Sequence, residues 1–151
     1  MTPFLVLLSV FAISLGVTKL LRGTYKLKLS GRIAMSIMLL FTAMGHFVFA
    51  EGMGMMLPSF VPWKEVIVYV TGALEIAAAV GLLIPATRTI TAWFLIAFFI
   101  LILPANIYAA INHVDYQTGT FDGKGLDYLW FRVPLQILFI AWVYLSAIKK
   151  N

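Results

Sequence analysis

Residues 66–85, VIVYVTGALEIAAAVGLLIP, contain no lysine or arginine and one acid, Glu75, near their middle. At about 1.5 Å rise per residue, twenty such residues match the hydrocarbon thickness of a bilayer, which predicts a membrane-spanning helix. An ionised carboxylate at mid-membrane costs several kcal/mol, so Glu75 should be protonated, paired or turned toward a polar cavity. Ala73, Ala77 and Gly81 recur every fourth residue, with Gly72, Ala78 and Ala79 adding small surface. Rows of small residues let helices approach closely in lipid, so this helix is expected at the centre of a bundle.

The rest of the chain agrees with a membrane setting. It has 151 residues, 62% of them hydrophobic and 11% charged, with a mean hydropathy of +0.99, far more apolar than a soluble domain of this length. The net charge of +5 is spread over several loops, which fits membrane topology better than nucleic-acid binding. With no cysteine, the chain has no disulfide, thiolate metal site or thiol redox chemistry of its own. Electrons would have to pass through a bound cofactor or a partner.

Five apolar runs follow one another. The first, residues 1–21, lacks the preceding positive charge and small-residue cleavage site of a secretory signal and is expected to be a retained span. A basic linker, 22–30, leads to a second span at 31–50. Residues 51–65, EGMGMMLPSFVPWKE, hold Pro58 and Pro62 among greasy side chains, and predict an irregular loop against the membrane surface or over the bundle mouth. The span at 66–85 joins the span at 89–112 through a minimal turn, which predicts an antiparallel hairpin. Residues 113–127, HVDYQTGTFDGKGLD, read as an ordinary polar loop before the last span, 128–147.

Charge counted on alternate sides orients these spans. Lys19, Arg22, Lys26, Lys28, Arg32, Arg88, Lys149 and Lys150, eight of the eleven bases, fall on one side with none of the six acids. Cytoplasmic loops carry the excess of Lys and Arg, so the expected topology is N-terminus outside and C-terminus cytoplasmic in a cell membrane. Trp63, Tyr69, Tyr108, Tyr128 and Trp130 mark the outer interface, and Trp93, Trp142 and Tyr144 the inner one.

Two charged residues remain inside the spans, Glu75 and Arg132, and they join His46, Asn106 and Gln136. Their depths from the cytoplasmic end are, in that order, roughly 16, 24, 21, 27 and 18 Å, so four helices place polar groups in one layer of the outer half. Arg132 and Gln136 share one helix face at i,i+4 and can address one neighbour. An Arg132 to Glu75 contact would neutralise two costly charges, and a polar cavity open to the outer face is the preferred reading.

Four of the five have a plainer role as well. Glu75 and His46 can be hydrogen-bonded packing residues, Arg132 can snorkel to the surface, and Asn106 can mend the kink at Pro104 by bonding the Ile100 carbonyl. Haem ligation would need two histidines at similar depth, but only His46 lies in the layer and His113 is at the outer surface. There is no HxxH, ExxH or paired-acid spacing for a metal, no nucleophile motif and no Gly-rich phosphate loop, so no metal or haem is expected and catalysis by the chain alone is not.

The run GRIAMSIMLLFTAMGHF, the loop LPSFVP, the helix TGALEIAAAVGLLIP followed by ATR, and PANIYAA resemble the DoxX family of small bacterial membrane proteins over residues 31–112, and more loosely through the last span. The resemblance implies a four-helix bundle made of spans two to five, with the first span an added helix. Its residues matched here are Arg32, Gly45, Gly72, Glu75 and Arg88, to which the family attaches no transferable catalytic role. Better-known members are similar to subunits of thiosulfate:quinone oxidoreductase or to partners in membrane oxidoreductase complexes, and animal relatives act as receptor chaperones.

The expectation is therefore an all-α membrane protein with Glu75, His46, Arg132, Asn106 and Gln136 around a lipophilic ligand such as a quinone, serving an oxidoreductase partner. A non-enzymatic assembly or chaperone-type protein, or a small lipid or weak-acid transporter working as a homodimer, are the alternatives. The first alternative makes the polar layer internal glue.

Overall fold

A computed structural model describes residues 2–149; Met1, in the expected first span, and Lys150, in the closing basic pair, lie outside the described residues. The described residues form seven helices: α1 (Thr2–Arg22), α2 (Leu27–Val48), α3 (Ala50–Gly54), α4 (Lys64–Leu83), α5 (Arg88–Leu101), α6 (Leu103–Ile111) and α7 (Asp127–Val143). A π-helical turn, Tyr144–Ile148, continues α7. No strand occurs among the described residues; the one extended pairing is an isolated bridge between Asp115 and Thr120. Taking α5 with α6, and α7 with its π turn, five helical segments are long and apolar enough to cross a bilayer.

Local chemistry explains several boundaries that differ from expectation. Gly23, at φ 67°, ends α1 in the left-handed conformation that favours glycine, and its N–H returns to the Lys19 carbonyl at 2.9 Å. The chain re-enters a helix at Leu27, so the basic linker is shorter than residues 22–30 and the second helix starts earlier than residue 31. The span expected over 89–112 is divided at Ile102. Pro104 sits in the first turn of α6, where a missing N–H is tolerated, and not inside one continuous helix. The loop expected over 51–65 begins as α3 and becomes irregular only towards Pro58, and α4 starts at Lys64 instead of residue 66.

The centre of the bundle is α2, not the small-residue helix. α2 touches α1, α3, α4, α7 and the π turn, whereas α4 packs on α2, α3 and α5. Leu7, Met35, Met38, Leu39, Leu82, Leu95, Phe99, Leu135, Phe139 and Val143 join these helices in one buried cluster. α4 presents Val68, Gly72, Glu75, Ala79 and Leu82 inward at alternating spacings of four and three, while Ala73 and Ala77 lie on its exposed side. Of the every-fourth row only Gly81 is buried, beside Thr91 of α5, because a helix of 3.6 residues per turn keeps a face by mixing steps of three and four. α1 lies along α2, and Phe11 meets Trp142 edge-on with ring centroids 4.8 Å apart.

Candidate functional site

α2 and α4 approach each other closely at Gly72. A Cβ there would stand 2.8 Å from the His46 Cβ and 3.2 Å from the Phe47 ring, so only glycine lets the backbones meet at this height. One turn further along the same face is Glu75, 5% exposed. The spacing Gly-x-x-Glu therefore has a physical meaning: the glycine brings α2 within reach, and the carboxylate meets what α2 offers.

α2 offers Thr42 and His46, which are i,i+4 on one face. The Thr42 hydroxyl donates to Glu75 Oε2 at 2.9 Å and has the Leu39 carbonyl 3.0 Å away. One hydroxyl hydrogen cannot serve both acceptors fully. With Glu75 ionised, Thr42 donates to it; with Glu75 protonated, the carboxyl O–H can donate to Thr42 while Thr42 donates to Leu39. The contact thus accommodates either protonation state without moving a heavy atom.

His46 completes the group. Its Nδ1 lies 3.1 Å from the Thr42 carbonyl and 3.4 Å from Glu75 Oε2. The carbonyl can only accept, so the proton is assigned to Nδ1 and the neutral ring carries its lone pair on Nε2. Nε2 has no hydrogen-bond partner among the described residues. The His46 side chain is 18% exposed and that of Glu75 6%, so the imidazole is the accessible member and the carboxylate stands behind it.

The other expected members of the layer are placed differently. Arg132 makes no ion pair with Glu75; it lies within Coulombic reach of Glu75, His46 and Tyr128, and its Nε is buried without a hydrogen-bond partner. Gln136, 5% exposed, donates to the Phe99 carbonyl and ties α7 to α5. It shares no partner with Arg132. Asn106 donates to the Ile102 carbonyl at 3.2 Å and lies 3.4 Å from the Tyr128 hydroxyl, a contact between α6 and α7, and it does not bond the Ile100 carbonyl.

The five side chains thus divide into a His46–Glu75 centre with Arg132 as its electrostatic neighbour, and two separate ties at Gln136 and Asn106. Thr42 was missed in the sequence. Its signal was its position one turn before His46.

Two surface concavities occur elsewhere. One is lined by Ala110, Ile111, His113, Lys124, Leu126 and Asp127, the other by Phe4, Trp130, Phe131, Pro134, Leu135 and Leu138. Neither is lined by any of the five expected residues. Among the described residues, no group of three or more His, Cys, Asp or Glu side chains is gathered as a metal ion would require.

Residues 35–147 match the family described as a domain of unknown function (DUF8561), a match over most of the chain, and the chain belongs to that family. Comparison with curated proteins finds no match, and neither does comparison with solved structures.

Proposed function

We propose that this member of the DUF8561 family is a multi-span membrane protein that binds a lipophilic molecule of the quinone or quinol class at His46 and Glu75, on behalf of an oxidoreductase partner. Five helical segments of spanning length support the membrane reading, as do the large apolar side chains they expose, among them Leu20, Leu21, Ile90, Leu101, Ile111 and Trp130. In water such a coat would be an aggregation surface; in lipid it is solvated. The distribution of Lys and Arg supports a C-terminus on the cytoplasmic side.

The observation that carries the ligand reading is the unpartnered Nε2 of an imidazole whose Nδ1–H faces a buried carboxylate. Such a nitrogen accepts a hydrogen bond from a ligand hydroxyl. If it takes the proton, the imidazolium is stabilised by Glu75, the same division of labour by which a carboxylate orients and supports a histidine base. Once protonated, the ring can donate to a carbonyl-type oxygen. One site therefore suits both the hydroxyl and the carbonyl form of a quinone-like head group. Arg132 adds positive potential nearby, which favours ligand oxygens that carry negative charge. The oxidoreductase partner rests on the DoxX-like sequence features.

Native mass spectrometry with lipid extraction, on protein purified gently from its own membrane, tests this reading. A retained lipophilic molecule that is lost in Glu75→Gln and His46→Ala supports it. An empty bundle, or a molecule retained equally by both variants, removes it.

A second reading has its own observation. Phe60 and Trp63 are 84% and 81% exposed in the segment before α4, and Trp63 takes a left-handed backbone at φ 50°. A pair of presented aromatics suits capture of a protein partner, as in an assembly or chaperone-type role. A stoichiometric partner that co-purifies with the wild type and is lost on Phe60→Asp would favour it.

A further inference from the structure

His46 and Glu75 leave one group of cations unexplained. Arg32 and Arg88 each have an Nε that is buried and without a hydrogen-bond partner among the described residues. They lie far from the His46 site: Arg32 precedes His46 by fourteen residues of α2, about 21 Å of helix. Arg88 opens α5, and the two guanidinium groups stand within Coulombic reach of each other. No ion pair to either occurs among the described residues.

Snorkelling explains a single arginine at a membrane boundary, because the charged head then sits in water. It does not explain why two arginines, each with its Nε buried and unpartnered, stand within Coulombic reach of each other, where like charges repel. Two further features add to the same sign or the same need. The amino-terminal end of α5, a helix of 14 residues that begins at Arg88, contributes its partial positive charge. Ser36, one turn beyond Arg32 on the same face of α2, is 2% exposed and its hydroxyl is also without a partner. Lys28, one turn before Arg32, is already used: its Nζ donates to the Lys149 carbonyl at 2.6 Å.

We propose that Arg32 and Arg88 form a clamp for a phosphate-type oxyanion, with the Ser36 hydroxyl as a further donor beneath it. Guanidinium groups suit this task because their planar N–H forks pair with tetrahedral oxyanions two bonds at a time. The oxyanion can come from a phospholipid headgroup in the adjoining leaflet or from free phosphate. The lipid source rests on the membrane reading above; the clamp itself does not depend on the His46 site.

The test uses the full chain purified in detergent, with phosphatidylglycerol, inorganic phosphate, and diacylglycerol as the phosphate-free control. Occupancy is read by native mass spectrometry and by the shift in unfolding temperature. Wild type should bind a phosphate-bearing probe and not diacylglycerol, and Arg32→Gln or Arg88→Gln should weaken that binding about tenfold, a loss of one good charge-assisted contact. Lys19→Gln, a basic residue of the same side, and Glu75→Gln should leave it unchanged.

Binding of phosphatidylglycerol without inorganic phosphate assigns a lipid headgroup, and protection by inorganic phosphate assigns a free anion. Equal binding by wild type and both glutamine variants, or no binding of either phosphate probe, overturns the proposal. Should a glutamine variant fail to fold by circular dichroism, Arg32→Lys and Arg88→Lys carry the test. They keep the charge and lose the fork, so binding at the wild-type level in both would overturn the two-guanidinium clamp.

Discussion

The α2–α4 seam and the α5–α7 seam both bury a polar side chain, and they use it differently. Between α5 and α7, Gln136 donates to the Phe99 carbonyl, a backbone group that cannot change its charge or turn away. Between α2 and α4, Glu75 meets Thr42 and His46, two side chains that can each exchange hydrogen-bond roles. The first arrangement has one state and serves as a tie. The second has at least two proton arrangements at nearly the same heavy-atom positions, and one of its members leaves a nitrogen unpartnered. Depth in the bundle does not separate a tie from a site; what the polar group is bonded to does.

Several substitutions would break or sharpen that distinction, in order of their expected effect on stability. Gly72→Leu places a side chain where a Cβ alone would stand 2.8 Å from His46, and should wedge the two helices apart. Such overpacking should cost about 2–3 kcal/mol, read as a lower unfolding temperature in detergent. An unchanged unfolding temperature would mean that the seam is looser than its geometry and that Gly72 is no determinant of the site.

Gln136→Leu removes the tie between α7 and α5 and should cost about 1–2 kcal/mol, the range for leaving a buried polar group unpaired. Ligand retention should stay as in the wild type. A ligand lost with Gln136 would merge the two seams into a single site.

Thr42→Val keeps the shape and removes the hydroxyl, so Glu75 is left with His46 alone. We expect about 1 kcal/mol of destabilisation, the usual net worth of one hydrogen bond, and weakened ligand retention by native mass spectrometry. Retention at the wild-type level would show that Thr42 only packs.

Glu75→Gln should change stability least, by less than about 1 kcal/mol, because an amide of the same size can still hydrogen-bond Thr42 and His46. It should nevertheless abolish ligand retention, since an amide cannot support an imidazolium as a carboxylate does. Stability and retention that fall together would make this seam a tie like the other.

The five apolar helical segments, the short turn between α4 and α5, and the glycine and proline punctuation were legible in the residues, because length, hydropathy and backbone chemistry act locally. Glu75 and His46 were also legible as neighbours in depth. What the residues left open was helix rotation. Equal depth placed Arg132, Gln136 and Asn106 in one layer, yet Gln136 faces α5 and Asn106 links α6 to Tyr128 of α7. Of the small residues read as packing surface, Gly72, Ala78, Ala79 and Gly81 are buried, while Ala73 and Ala77 are exposed. Thr42 gave little sign, since a threonine in an apolar helix commonly bonds its own backbone, and this one also lies beside the Leu39 carbonyl.

By itself the sequence determined that this chain is helical, how many long apolar segments it has, and which few polar groups they must accommodate. Each follows from properties carried within one segment: its length against a fixed rise per residue, its hydropathy, and the residues that cannot continue a helix. Tertiary structure alone decided that α2 and not α4 is central, that His46 and Thr42 are the partners of Glu75, and that Arg132 makes no ion pair with it. These depend on the rotation of each helix about its axis and on which neighbour it meets. Both are set by the packing of all the segments together.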